Sequence, residues 1–289
     1  LLFFNFGRND AVNTYELETG DTSDKEIFDR IRELVYKRSG IKLDTSKESL
    51  IRARVGKRMR ALGLSNHAEY LKQVIESNDE NEIVHLLDAI STNVTSFFRD
   101  SDHFNLLRIL LKEWTASGQR RFRIWSSACS SGEEPYSIAM TVLDSIGGNF
   151  DTKILATDIS TRVLDKAQMG IYEAEKTYQI PEDFIEKYFD KINNLNSVSY
   201  KVKPVLRNMI VFKRLNLSET PFPMQGPMDV IFCRNVMIYF DQNTRRRLIN
   251  EIFRLLKPNG YLFVGHAESL IGLTNGFRTI KPSVYLKES

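Results

Sequence analysis

Several absences narrow this sequence before any motif is read. There are two cysteines in 289 residues, Cys129 and Cys233, each closing an apolar run and far apart in the chain. That excludes a disulfide framework and a cysteine metal site, and it fits reduced thiols in a cytosolic protein. No apolar run approaches the ~18 residues of a membrane span. Leu1-Leu-Phe-Phe-Asn-Phe6 is too short for a signal sequence and has no basic flank. It also lacks an initiator Met, so residues 1–22 are set aside as an unassigned extension. A dominant charge sign is missing too: the net charge is +3, so the location of the cations matters more than their sum. No glycine-rich dinucleotide fingerprint occurs, and no Asp/Asn-Pro-Pro-Tyr/Phe segment. The histidines are His67, His85, His103 and His266. None forms a cluster by spacing, and no metal is expected.

Hydrophobic residues make up 42% of the chain, enough for one full core and a small companion domain. Residues 23–105 read as helical throughout. Ile27, Ile31, Leu34 and Val35 repeat at helical spacing before Gly40. A second helix is expected from Ser46 to Leu62, with Ile51, Val55, Met59 and Leu62 inward. Shorter ones are expected over Tyr70–Ser77 and Glu82–Ser91. After Gly118 strands alternate with helices: strands over 122–129, 153–158, 228–233 and 261–265, helices over 135–146, 160–169 and 243–256. This predicts a doubly wound α/β sheet over 106–289, closed by an antiparallel hairpin at 277–287. The stretch of about 171–212 breaks the rhythm. A polar helix near Pro181–Tyr188 precedes two alternating runs, 197–203 and 205–212, read as a small antiparallel β insertion.

Ligands of such sheets bind at the carboxyl ends of the strands. The first strand runs into Cys129-Ser-Ser-Gly-Glu-Glu-Pro135. Gly132 permits close backbone approach and Pro135 suits a first helical turn. Glu133-Glu134 repels a pyrophosphate and favours a cationic cofactor, or else stabilises a helix N-terminus. Strand two ends in Asp158, placed to hold a ribose diol or to cap the following helix. Phe232-Cys-Arg-Asn-Val-Met-Ile-Tyr-Phe240 puts Arg234, Asn235 and Tyr239 at the same edge. Buried polar groups there need partners that a ligand can supply, though Tyr239 also suits a core aromatic.

Four blocks in order, Ser91-Thr-Asn-Val-Thr-Ser-Phe-Phe-Arg99, Ser130-Ser-Gly-Glu-Glu-Pro-Tyr-Ser137, Ala156-Thr-Asp158 and Phe232–Asp241, resemble the signatures of the chemotaxis receptor glutamate O-methyltransferases, the CheR family. The resemblance covers roughly Asp24 to Lys287. It implies a Rossmann-like methyltransferase sheet with a separate N-terminal all-α domain for substrate recognition. The implied cofactor is S-adenosylmethionine, giving S-adenosylhomocysteine. It further implies that Asn93, Thr95 and Arg99 reach the methionine end of the cofactor, Glu133 its amino group and Asp158 its ribose. Asn216 and Leu217 would flank the adenine, and Cys233, Arg234 and Asn235 would line the pocket. Arg99 and Tyr239 would face the transferred methyl as the catalytic pair. The implied acceptor is a glutamate on the cytoplasmic helices of a methyl-accepting chemoreceptor. Whether a receptor C-terminal peptide docks on the β insertion stays open.

Transfer of a methyl from a sulfonium to an ionised carboxylate needs no general base, since a glutamate of ordinary pKa ≈ 4.3 is already charged. The work left to the protein is positioning and desolvation. Arg52, Arg54, Lys57, Arg58 and Arg60 spread over the outward part of the second helix, a basic face suited to an acidic receptor helix. A solvated face or a phosphate backbone would suit the same charges. The rival reading is therefore an RNA methyltransferase using that helix, against which the helix has no interleaved aromatics. Neither nucleic acid nor membrane insertion is expected.

Overall fold

The computed structural model describes residues 24–44, 48–76, 80–90, 93–194, 197–273 and 276–288. The extension at 1–22 and the expected first turn of the second helix, with Lys47, lie outside them. Helices α1 (Asp24–Ser39), α2 (Glu48–Leu62), α3 (His67–Glu76) and α4 (Glu80–Ile90) enclose one apolar cluster. Ile27, Ile31 and Val35 meet Ile51, Val55 and Met59 there, with Leu86 and Ile90 from α4. The four-residue spacing puts each set on one helix face. Leu62, expected inward, is 37% exposed; it is the last residue of α2, where Gly63 turns the chain with φ +72°.

Helix α5 (Ser101–Ala116) runs across the expected domain boundary at residue 105. Its Phe104, Leu107, Leu110 and Leu111 join the core of the sheet domain, so that domain begins ahead of the helix. The main sheet follows from β1 (Arg121–Ser126), α6 (Glu133–Ile146), β2 (Asp151–Asp158), α7 (Thr161–Met169), β6 (Ile210–Arg214), β7 (Met228–Cys233), α10 (Gln242–Leu255), β8 (Leu256–Val264), β9 (Phe277–Lys281) and β10 (Val284–Lys287). Between α7 and β6 lie β3 (Ile171–Glu173), α8 (Glu182–Tyr188), β4 (Phe189–Asn194), β5 (Ser197–Val202) and the short α9 (Pro204–Arg207).

The strand order is β6-β2-β1-β7-β8-β10-β9. β6, β2, β1, β7 and β8 are parallel, and β10 runs antiparallel to both β8 and β9. Successive residues of a strand face opposite sides. Phe122, Ile124 and Phe232 accordingly pack on the α5–α6 side, and Trp125, Ile231 and Cys233 on the α10 side. Cys129 and Cys233 are both free and buried, in separate clusters on the two sides. The direction of winding reverses between β1 and β7, which makes their carboxyl edge the switch point.

The β insertion is smaller than expected. Its sheet is β3-β5-β4, antiparallel throughout. Residues 205–212, expected as one of its strands, instead form the end of α9 and most of β6, which pairs parallel with β2 from Ile210↔Ile154 to Arg214↔Asp158. The misreading has a physical source. β6 is the outermost strand of the main sheet, with Val211 47% exposed, so its sequence alternates like an antiparallel strand although its partner is parallel.

Candidate active site

A cavity of about 900 Å³ opens at the switch point, between the sheet edge and the helical domain. Each wall has a local cause. Gly132 takes φ +96°, and a Cβ there would lie 2.8 Å from both Ala167 Cβ and the Tyr172 hydroxyl. The chain can therefore turn from β1 into α6 only with glycine at that place. Ser160 caps α7 through Val163 N–H, and Asp241 caps α10 through Thr244 N–H. The helical domain adds the segment after α1. Ile41 bridges Phe240, the Lys42 amide donates to the Tyr239 carbonyl at 2.8 Å, and the Asn216 amide donates to the Arg38 carbonyl at 2.9 Å. Sequence reading gave this segment no role at the site, although Ile41, Lys42 and Leu43 line the cavity.

Asn93, Thr95, Arg99, Asp158, Asn216, Leu217, Arg234, Asn235 and Tyr239 all line it. Asp158 is buried, and each of its oxygens accepts a backbone N–H: Oδ2 from Ser130 at 2.8 Å, Oδ1 from Ser160 at 3.0 Å. It thus ties the first loop to the start of α7 and keeps one lone pair per oxygen for a ligand. Burial pushes its pKa up, against those amide bonds. The Asn216 side chain is committed to Arg38, Glu219 and Ser218, so a ligand meets its backbone and the apolar Leu217.

Two expected lining residues are not there. Glu133 is fully buried away from the cavity, accepting from Ser131 Oγ at 2.7 Å and Lys176 Nζ at 3.2 Å. Of the two adjacent glutamates it is Glu134 that lines the cavity, held by Ser126 Oγ at 2.6 Å and Arg234 at 3.0 Å. Neighbouring helix positions differ by about 100°, so α6 sends one glutamate towards the insertion and the other into the cavity. Burial raises Glu134, with Arg234 and Ser126 opposing. Cys233 is the second departure: it ends β7 facing the apolar core, and burial pushes its thiol up.

Arg234 is itself a bracket. Its side chain is 2% exposed and pairs with Glu134 and Asp100, while also donating to the Arg99 carbonyl at 2.6 Å. Sequence reading missed Glu268 altogether. One oxygen accepts from Asn235 N at 2.8 Å and Gly265 N at 2.6 Å, the other from Val236 N at 2.9 Å and Met237 N at 2.8 Å. A single carboxylate thereby folds the loop that carries Asn235, with its φ of +57°, and Tyr239. An acid three residues past the end of a strand was its one sequence signal.

The basic face of α2 is largely spent inside the domain. Arg58 forks onto buried Glu82, which also accepts from the Tyr70 hydroxyl at 2.8 Å. Arg52 pairs with Glu48 at 2.8 Å and lies over the Phe28 ring. Arg54 donates to the Ile90 carbonyl and lines the cavity. Lys57 and Arg60 stay exposed. The cavity therefore joins buried carboxylates at the sheet to Arg54, Arg99, Arg245 and Tyr239 at its other walls, and no histidine lines it. Such a site suits a cationic cofactor beside an anionic acceptor.

Comparison with known proteins agrees with this division of the chain. Residues 26–91 match the family model described as the all-alpha domain of CheR methyltransferase, and residues 93–286 match its SAM binding domain. A chemotaxis protein methyltransferase of Borreliella burgdorferi is 40% identical, over 96% of this chain and 99% of the relative. Chemotaxis protein methyltransferase 2 of Pseudomonas aeruginosa is 39% identical over 90% and 92%. The Escherichia coli chemotaxis protein methyltransferase is 39% identical over 89% of each chain.

Proposed function

This chain belongs to the CheR methyltransferase family, and on that premise we propose that it esterifies glutamate side chains on chemoreceptor helices inside the cytoplasm. As a member it is an S-adenosylmethionine-dependent methyltransferase of chemotaxis adaptation. The observation that carries the finer reading is a cavity with Glu134 and Asp158 at the sheet, Arg54, Arg99, Arg245 and the Tyr239 phenol on other walls, and no histidine among its lining residues.

The donor set fits the cofactor. Glu134 and Asp158 bring negative charge to the switch point, Leu217 gives an apolar wall, and nothing there resembles a phosphate cradle. S-adenosylmethionine supplies, when bound, an electrophilic methyl on a sulfonium. Glu134 is assigned the amino group in place of Glu133, and Asp158 the ribose through its remaining lone pairs. Asn93, Thr95, Asn235 and the backbone at Asn216 complete the wall. The acceptor arrives as a carboxylate, so no side chain has to take its proton. Tyr239 Oη and the Arg99 guanidinium orient it, and α1, α2 and the following segment exclude water from its approach. Arg99 is restrained by its bond to the Val94 carbonyl at 3.0 Å. That restraint suits the reaction, because a tight grip on a charge that vanishes in the transition state would slow it.

In the β insertion β4 pairs with β5 on one side, and among the described residues no strand covers its other edge. That edge is a candidate for strand addition by a receptor C-terminal peptide. The RNA alternative gains nothing, since Arg52 and Arg58 are held in internal ion pairs.

The test uses purified protein, methyl-labelled cofactor and receptor-bearing membranes, followed by alkali. Esters release the label as volatile methanol. Label that remains bound in alkali sinks the glutamate reading and points to an amine or base acceptor.

A further inference from the structure

His103, His266 and Asp102 meet at one point of the surface although His266 lies far along the chain. A ring nitrogen from each histidine and a carboxylate oxygen of Asp102 lie within 4.8 Å of one another. His103 is fully buried, while Asp102 and His266 are exposed at the rim.

The hydrogen bonds assign the ring protons. Ser283 Oγ donates to the Pro282 carbonyl at 2.6 Å, which uses its one hydrogen. It must therefore accept from His103 Nε2 at 2.8 Å and from His266 Nδ1 at 3.3 Å. His103 Nδ1 is then a lone pair, and it is buried with no hydrogen-bond partner. On the other ring, Nε2 faces Asp100 Oδ1 and Asp102 Oδ1, each 3.6 Å away. A ring nitrogen set between two carboxylates is a place for a cation, either a proton or a metal ion.

The geometry points to a transition-metal site at Asp102, His103 and His266, of a chemistry suited to Zn²⁺. Two imidazoles and a carboxylate are borderline donors that favour zinc or cobalt over magnesium or calcium. Bonds of ~2.0–2.2 Å require the donors to close in from their present spread, which the two exposed side chains can do by rotation. Asp100 Oδ1 or water completes the coordination. The site lies outside the methyl-transfer cavity but touches its support. Asp100 also pairs with Arg234, which holds Glu134. A metal that draws on Asp100 leaves Arg234 to grip Glu134 more fully, taking negative charge from the cofactor's side of the cavity.

The experiment titrates Co²⁺ into tag-free, chelator-treated protein and reads visible d–d absorption, then adds Zn²⁺. One equivalent of cobalt should bind with a spectrum that zinc abolishes. His266→Gln and Asp102→Asn alter exposed positions and should keep the wild-type thermal transition while weakening cobalt binding at least about ten-fold, the 1.4 kcal/mol or more of one lost ligand. Absence of the spectrum would mean that a proton alone fills the gap on His266, and the site falls. Unchanged binding in both variants also overturns it, because the metal then lies elsewhere. S-adenosylhomocysteine affinity should drop roughly five-fold in saturating zinc, by reciprocal linkage. Equal affinity with and without zinc overturns the coupling to the cavity.

Discussion

The arginines of α2 and the acids at the edge of the sheet are equally conspicuous in sequence, yet they end in opposite situations. On α2, Arg58 and Arg52 turn to Glu82 and Glu48 of their own domain, leaving Lys57 and Arg60 exposed. At the sheet edge, Glu134 and Asp158 face a cavity, and their local partners do not use all their lone pairs. The difference comes from how each position is specified. Asp158 ends β2 at the carboxyl edge where an open α/β sheet binds its ligands, and Glu134 opens the helix that leaves that edge after β1. A residue on a helix surface faces whatever packs against that helix, which α2 alone does not reveal.

Substitutions can break this contrast or sharpen it. Arg234→Ala should have the largest effect on stability, about 3–5 kcal/mol, because it strands Glu134 and Asp100 around a side chain that is 2% exposed. Denaturant unfolding measures it, and a loss below about 1 kcal/mol would mean that the bracket is not formed. Glu268→Gln comes next. An amide in place of one oxygen sets a donor against backbone N–H groups, at about 1–3 kcal/mol for each one left unsatisfied. The loop bearing Asn235 and Tyr239 should loosen, so that turnover falls more than ten-fold while the N-terminal helices keep their stability. Arg58→Ala should cost about 1.5–3 kcal/mol by leaving Glu82 with the Tyr70 hydroxyl alone, and cofactor affinity should not follow. The smallest effect belongs to the exposed cations. Reversing Lys57 and Arg60 to Glu should slow methylation of intact receptor only several-fold, with the loss shrinking as salt screens exposed charges over ~8–10 Å. A salt-independent loss would indicate damage to the fold instead.

The order of strands and helices was legible because periodicity changes from 3.6 to 2 at each boundary. Asp158, Asn235 and Tyr239 were legible because strand ends are topologically marked. Other features were not. Choosing between Glu133 and Glu134 requires the phase of α6, which starts at Glu133 rather than at Pro135. Residues 205–212 misled because an edge strand half open to solvent alternates whichever way its partner runs. Glu268 and the His103–His266 pair depend on contacts between distant segments, which leave no spacing to read.

The two adjacent glutamates of α6 give the most direct test of the account. Calorimetry should compare S-adenosylhomocysteine binding to wild type, Glu134→Gln and Glu133→Gln, with thermal melts to confirm folding. The account predicts that Glu134→Gln weakens binding by about 1.5–3 kcal/mol, as expected for a lost charge-assisted contact. Glu133→Gln, whose carboxylate is turned to Ser131 and Lys176, should stay within about two-fold of wild type. The opposite pattern, with Glu133→Gln weakened and Glu134→Gln unaffected, would contradict the assignment of the cavity's carboxylate and the cofactor site built on it.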